Sequence, residues 1–160
     1  MNEELPIFLM LIGIAGSGKS FWIKNNVKED EFVIVSSDTL RRELTGDVSD
    51  LSQDKVMWSL AKKKVIETLS NGKNVILDAT NVNGYYRRAF IKELPPCRLQ
   101  AKLFPLDPEK AKERVKQDIE NNVDRSHVPM HVIDDMARQF ESYCTPKLLK
   151  KEGFEIIEDI

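Results

Sequence analysis

The sequence predicts an α/β domain of three layers, in which helices cover a largely parallel five-stranded sheet and a helical lid overhangs one end. Three observations predict it. Five short apolar runs of buried-strand length alternate with helical patterns along the 160 residues. The first run breaks into Gly13-Ile14-Ala15-Gly16-Ser17-Gly18-Lys19-Ser20, which matches the phosphate-loop pattern G-x-x-x-x-G-K-[ST]. The second and third runs lead into acids, Asp38 and Asp78, at the carboxyl edge where open α/β sheets hold ligands. A strand, a glycine turn and a helix in that order point to the P-loop NTPase fold.

The bulk composition sets bounds. A chain of 160 residues, 41% hydrophobic and 31% charged, suits one domain with one core, spanning residues 1–160. A net charge of -2 offers no overall electrostatic footprint for duplex nucleic acid, so a polyanion has to find a local basic groove. The two cysteines, Cys97 and Cys144, lack metal-type spacing and read as free thiols of a reducing compartment. No stretch reaches the length of a membrane span, and a cytoplasmic protein with no membrane partner is expected.

The elements follow in order. Ile7 to Ile12 is apolar throughout, as in a parallel strand buried on both faces, and a helix starts by Phe21. Gly13, Gly16 and Gly18 let the backbone wrap phosphate oxygens, and the N–H groups of the following helix converge on the same spot. Lys19 then meets the β- and γ-phosphates of ATP, and the Ser20 hydroxyl is placed to ligate Mg2+. Phe32 to Val35 reads as a second buried strand, placing Asp38 at its carboxyl end opposite Lys19. A helix over Asp50 to Leu69 carries the stripe Val56, Met57, Leu60, Ala61 and Leu69. Its run Lys62-Lys63-Lys64 reads as a solvated face, with contact to a phosphate backbone as the other reading.

Asn74 to Leu77 is a third strand ending in Asp78-Ala79-Thr80-Asn81, and an acid there resembles the carboxylate that holds Mg2+ through water. No glutamate follows Asp78, which counts against a motor-type hydrolase, and no Asn-Lys-x-Asp motif supports a GTPase. The helix from Asn83 to Glu93 interleaves Tyr85 and Tyr86 with Arg87 and Arg88, a pattern that suits base stacking or ordinary packing with a solvated arginine pair. Arg98 to Leu106 is a fourth strand. Asp107-Pro108 then starts a helix that reaches about Glu120. A polar turn containing Arg125 follows, and Val128-Pro129 opens a helix with Ile133, Met136, Phe140 and Tyr143 on its apolar face. Residues 114–130 have the character of a lid that closes on nucleotide and carries an arginine to the phosphoryl group. His127 and His131 lack a third ligand for a metal site. Phe154 to Ile157 supplies the fifth strand.

Taken as an ordered set, Gly16-Ser17-Gly18-Lys19-Ser20-Phe21-Trp22, Ser37-Asp38-Thr39-Leu40-Arg41, Asp78-Ala79-Thr80-Asn81 with Arg87-Arg88, and Asp124-Arg125 before Val128-Pro129 resembles the 5′-kinase domain of phage-type polynucleotide kinases. The resemblance runs from about Ile7 to Tyr143. It implies transfer of the ATP γ-phosphate to the 5′-hydroxyl of a single-stranded DNA or RNA end. On it, Asp38 is the general base, and Arg41 holds the phosphate next to the acceptor nucleoside. A lid arginine stabilises the transition state; Arg125 takes that role and Arg114 joins Gly13, Gly16, Ser17, Gly18, Lys19 and Ser20 on the nucleotide. Asp78, Asn81 and Arg88 complete the acceptor side, and Ser20 and Asp78 the Mg2+ site. The chain departs from the family in having no arginine from Gln117 to Asn122, and no phosphatase domain for 3′-end processing is read in it. A kinase for a small hydroxyl compound and an ATP-binding switch are the readings that compete.

Overall fold

β1 (Ile7–Ile12) is the axis of the sheet, buried along almost its whole length between β3 (Val75–Asp78) and β4 (Arg98–Leu103). The computed structural model describes residues 5–123 and 127–160. In it the strand order is β2-β3-β1-β4-β5, with every pair parallel. The expected α/β class and five-stranded sheet are both found.

Alternation along β1 divides the core. Phe8, Met10 and Ile12 face one side with Met57, Ala61, Val65 and Leu69 of α3 (Asp54–Ser70). Leu9 and Leu11 face the other with Trp22 of α1 (Lys19–Asn26), Phe32 and Phe104. The two helical layers are unequal. The first also takes Phe90 of α4 (Gly84–Ile91), Val115 of α5 (Pro108–Glu120), Ile133 of α6 (Met130–Tyr143) and Leu149 of α7 (Pro146–Lys151). The second rests chiefly on α1.

Several expectations are corrected. β2 (Val33–Ser36) is an edge strand, not a doubly buried one, and leaves Val33 and Ile34 exposed. Asp38 is not at the strand's end but in the first turn of α2 (Ser37–Thr45), because the Ser36 hydroxyl accepts a hydrogen bond from the Thr39 N–H and starts a helix directly. Helix α1 begins at Lys19, earlier than Phe21, with Gly18 at φ 101° forming the turn into it. Val56 is exposed and α3 buries the i, i+4 row Met57, Ala61, Val65 and Leu69, while Tyr143, expected on the apolar face of the helix after the polar turn, is exposed too. The cap read from the sequence holds: Asp107 accepts from the Lys110 N–H with Pro108 in the first turn; the structure adds a second, in which Asn83 accepts from the Tyr86 N–H. β5 (Glu155–Ile156) is shorter than expected, and α7 was not anticipated.

Candidate active site

The register of the sheet sets where the chemistry gathers. Ser36 pairs with Asp78 and Ile12 with Leu103, so the loops after β1, β2, β3 and β4 all leave at one edge. β1 is the switch point at which the strand order reverses, and a crevice opens there. It is a cleft of about 510 Å3 lined by the phosphate loop, the start of α2, the end of β3, and facing residues of α5 and α6.

The loop is built tightly. A Cβ on Gly16, which sits at φ 77°, would lie 2.5 Å from the Ala111 carbonyl oxygen, so the loop turns directly against α5. The Gly13 N–H donates to the Thr80 carbonyl at 3.0 Å, and a Cβ on Gly13 would come within 2.9 Å of Phe104 Cβ. Lys19 Nζ donates to the Gly13 and Ile14 carbonyls at 2.9 and 2.8 Å and to Ser17 Oγ at 3.3 Å, which holds the ammonium over the loop. Arg114 reaches the same loop from α5, its Nη1 donating to the Gly16 carbonyl at 3.1 Å. The cradle fits a polyphosphate: a positive helix end, an ammonium and a backbone that only glycine can follow. Ser20 and Asp78 line the cleft with a hydroxyl and a carboxylate, oxygen donors of the type Mg2+ takes.

Across the cleft stands Asp38. Arg41 Nη1 donates to its Oδ1 at 3.0 Å, and the same guanidinium grips Asp54 through Nε to Oδ1 at 2.8 Å and Nη2 to Oδ2 at 2.9 Å. Nη1 also reaches the Val48 carbonyl at 3.3 Å. Arg41 is only 8% exposed, and its hydrogen bonds to Asp54, followed by the two acids' charges, hold its pKa above the ordinary arginine value despite burial. Arg41 therefore lines the cleft with its guanidinium held by groups of the protein, at the position the resemblance gives to the phosphate next to the acceptor nucleoside. Asp54 and Trp58, both on α3, line the cleft and went unnoticed in the sequence. Nothing local marks them, since Asp54 meets Arg41 across the loop between α2 and α3.

The other candidates divide. Asn81, at φ 53°, turns its side-chain amide back to donate to the Leu11 carbonyl at 2.7 Å, so it braces the strand that feeds the phosphate loop and does not line the cleft. Arg88 is exposed and also lies outside the cleft lining. Arg87, read as either a phosphate-holding or a solvated arginine, is instead 2% exposed and forms a two-pronged bond with Glu152 at 2.9 Å on each prong. Its burial works against the charge, but Glu152 and Cys144 outweigh it and raise the pKa. Arg125 lies outside the described residues. The helices on either side of its segment do flank the cleft, through Val115 and Asp118 of α5 and Val132 and Met136 of α6. Past that segment the His127 N–H donates to Ser49 Oγ at 2.9 Å, tying the α5–α6 connection to the α2–α3 loop. Among the described residues there is no cluster of three metal-ligating side chains, and no helix is long and apolar enough to cross a membrane.

A phosphate loop at the switch point of a parallel sheet, facing an acid on the neighbouring crossover, defines a P-loop domain of the kinase-like kind. The chain matches the AAA domain family over residues 8–143 and belongs to it. No curated protein matches its sequence. Among solved structures, a chain of the Pnkp1/Rnl/Hen1 RNA repair complex is similar at 25% identity and a TM-score of 0.74, with 92% of this chain and 46% of that one covered. A second structure of the Pnkp1/Rnl/Hen1 complex matches at 30% identity and a TM-score of 0.63, covering 69% and 39%. A protein from Chloroflexus aurantiacus provisionally named a kinase shares the fold alone, at 11% identity and a TM-score of 0.67 over 80% and 77%. The present chain thus spans less than half the length of the two repair-complex chains. The likeness to P-loop kinases of the polynucleotide kinase type, read from the motifs, is borne out by these neighbours.

Proposed function

We propose that the chain is an ATP-dependent kinase that moves the γ-phosphate of ATP to the 5′-hydroxyl of a single-stranded polynucleotide. The observation that carries this is Asp38, an acid braced by Arg41 in the same cleft as Lys19 and Ser20. A switch that works through partners has no use for a base aimed at an acceptor hydroxyl. In the reaction the acceptor oxygen forms its bond to the γ-phosphorus as the bridging β–γ oxygen bond breaks, ADP leaves, and the hydroxyl proton passes to Asp38. Lys19 and Arg114 hold the phosphate chain, and a lid arginine, Arg125, meets the charge that spreads over the transferring group. Ser20 and Asp78 would hold Mg2+, which neutralises charge between the β- and γ-phosphates when bound. The nucleoside of ATP is assigned to a second, mostly apolar groove that starts at Phe104, beside Gly13, and continues through Leu106 to Pro146.

The polynucleotide acceptor draws support from the RNA repair complexes among the structural relatives. One observation favours a second reading, a small neutral acceptor: of the described residues lining the cleft, the acids Asp38, Asp54, Asp78 and Asp118 outnumber Lys19 and Arg41. Label transfer from γ-labelled ATP with Mg2+ to a 5′-hydroxyl oligonucleotide decides between them. The wild type should label the oligonucleotide, and Asp38→Ala should lose at least about a hundredfold in rate while still binding ATP. Labelling of small hydroxyl compounds but of no oligonucleotide would replace the polynucleotide reading with the second one.

A further inference from the structure

The sequence pattern Tyr85-Tyr86-Arg87-Arg88 left stacking and packing as alternatives, and the structure separates its members. Arg87 is turned inward to Glu152, while Tyr85 and Tyr86 stand 70% and 69% exposed with their ring centroids 5.6 Å apart in an edge-to-face pair. The chain has three tyrosines, and the third reaches the start of the same helix from another element: Tyr143, at the end of α6 and 49% exposed, has its Cβ 3.4 Å from where a Gly84 Cβ would stand. Arg88 folds over that point, its Nη1 2.9 Å from the same position, so the absent side chain of Gly84 is what admits the guanidinium there, on the helix that carries Tyr85 and Tyr86. Among the described residues no carboxylate lies within ion-pair distance of Arg88, whereas Arg41, Arg87, Arg98 and Arg138 each have one. Exposed tyrosine rings on a helix whose guanidinium has no described carboxylate partner are not accounted for by the core. They form an aromatic and cationic surface of the kind that stacks bases and holds phosphates.

Its position fits. Helix α4 starts at the ligand edge of the sheet, just after Thr80, which lines the cleft, and at most about 18 Å of chain separates Thr80 from Tyr85. We propose that Tyr85, Tyr86, Tyr143 and Arg88 form a landing platform for a single-stranded polynucleotide, taking the nucleotides that follow the one in the cleft. The platform binds by stacking and one phosphate contact, so it reads strand character and length and not base identity. This rests on the reading of the cleft as an acceptor site for a polynucleotide end.

The test is fluorescence anisotropy with a 3′-labelled, 5′-hydroxyl single-stranded octanucleotide, alongside the KM for phosphoryl transfer to the octanucleotide and to a dinucleotide. Replacing both tyrosines, Tyr85→Ala with Tyr86→Ala, should weaken octanucleotide binding at least about tenfold and raise its KM in step, with the dinucleotide KM and kcat unchanged. Tyr85→Phe with Tyr86→Phe should restore binding, because the rings remain, and Arg88→Gln should lower the salt dependence by about one phosphate contact. Octanucleotide binding unchanged in the double alanine variant would overturn the platform, as would an equal loss toward the dinucleotide. The two readings fail separately. Tyrosine-dependent binding without transfer sinks the kinase reading and leaves the platform, while transfer with tyrosine-independent KM does the reverse.

Discussion

Asp54 holds Arg41 through two short hydrogen bonds, and the same guanidinium reaches Asp38 at 3.0 Å. The three residues form a strut in which one acid on α3 fixes the orientation of another on α2. A planar fork with five donors can do this and an ammonium cannot. Replacing Asp54 with Asn weakens two charge-assisted hydrogen bonds at a largely buried arginine, so Asp54→Asn is expected to cost about 2 kcal/mol of stability. It should also lower kcat about tenfold through misplacement of Asp38, with the affinity for ATP unchanged. Steady-state kinetics together with an ATP binding isotherm check this. A double cycle with Arg41→Gln should be far from additive, because both changes remove the same strut.

At the scale of elements, the loop between β3 and α4 is braced from two directions. The Asn81 side chain donates to the Leu11 carbonyl, just ahead of the phosphate loop, and the Asn81 carbonyl accepts from Arg87 Nη1 at 2.9 Å. Arg87 continues to the Tyr143 carbonyl at 2.6 Å and to Glu152, so β1, α4, α6 and the segment after α7 meet at one buried network. Cys144 belongs to it too, and its thiol is pushed above the ordinary value chiefly by burial, which keeps it neutral and inert at ordinary pH. Glu152→Gln strands a buried guanidinium with half its partner. The expected loss is about 3 kcal/mol, or a fall in Tm of roughly 10 °C for a domain of this size. Thermal unfolding followed by circular dichroism checks it, and an unchanged Tm would mean that the network carries no net stability.

At the scale of the whole molecule, the sheet is loaded unevenly, with six helices on one face and α1 on the other. The face with α1 closes by other means. Lys102 Nζ lies over the Trp22 and Phe104 rings at 5.8 and 5.7 Å, and Trp22 Nε1 donates to Asp159 at 3.3 Å. The loop that receives phosphate therefore joins the central strand to the helix of the thinner layer, and ligand binding should tighten the entire domain. ATP with Mg2+ at one hundred times its Kd is expected to add about 2.7 kcal/mol, a rise in Tm of roughly 5–10 °C. Differential scanning fluorimetry measures this, and Lys19→Ala should abolish most of the rise.

What lies within a few consecutive residues was legible in the sequence. The phosphate loop, its glycines, Lys19 and Ser20 occupy one contiguous stretch, and the cap at Asp107 acts on an N–H three residues on, so their chemistry is written locally. The unbroken apolar runs of β1 and β3 are legible for the same reason, since a strand buried on both faces needs an unbroken series of side chains that tolerate it. Which strand is central was not written there. Phe32-Val33-Ile34-Val35 is as apolar as the run in β3, yet β2 lies at the edge because the crossovers put β1 beside β3 and β4. Arg87 and Arg88 are identical neighbours in sequence, and distant partners, Glu152 sixty-five positions further on and the Tyr143 carbonyl, hold one buried while the other faces solvent. Asp54 escaped notice because its role depends on Arg41 being brought to it over the α2–α3 loop. Local hydrogen bonding and periodicity are properties of the chain, whereas burial and the pairing of distant charges exist only once the sheet order has brought them together.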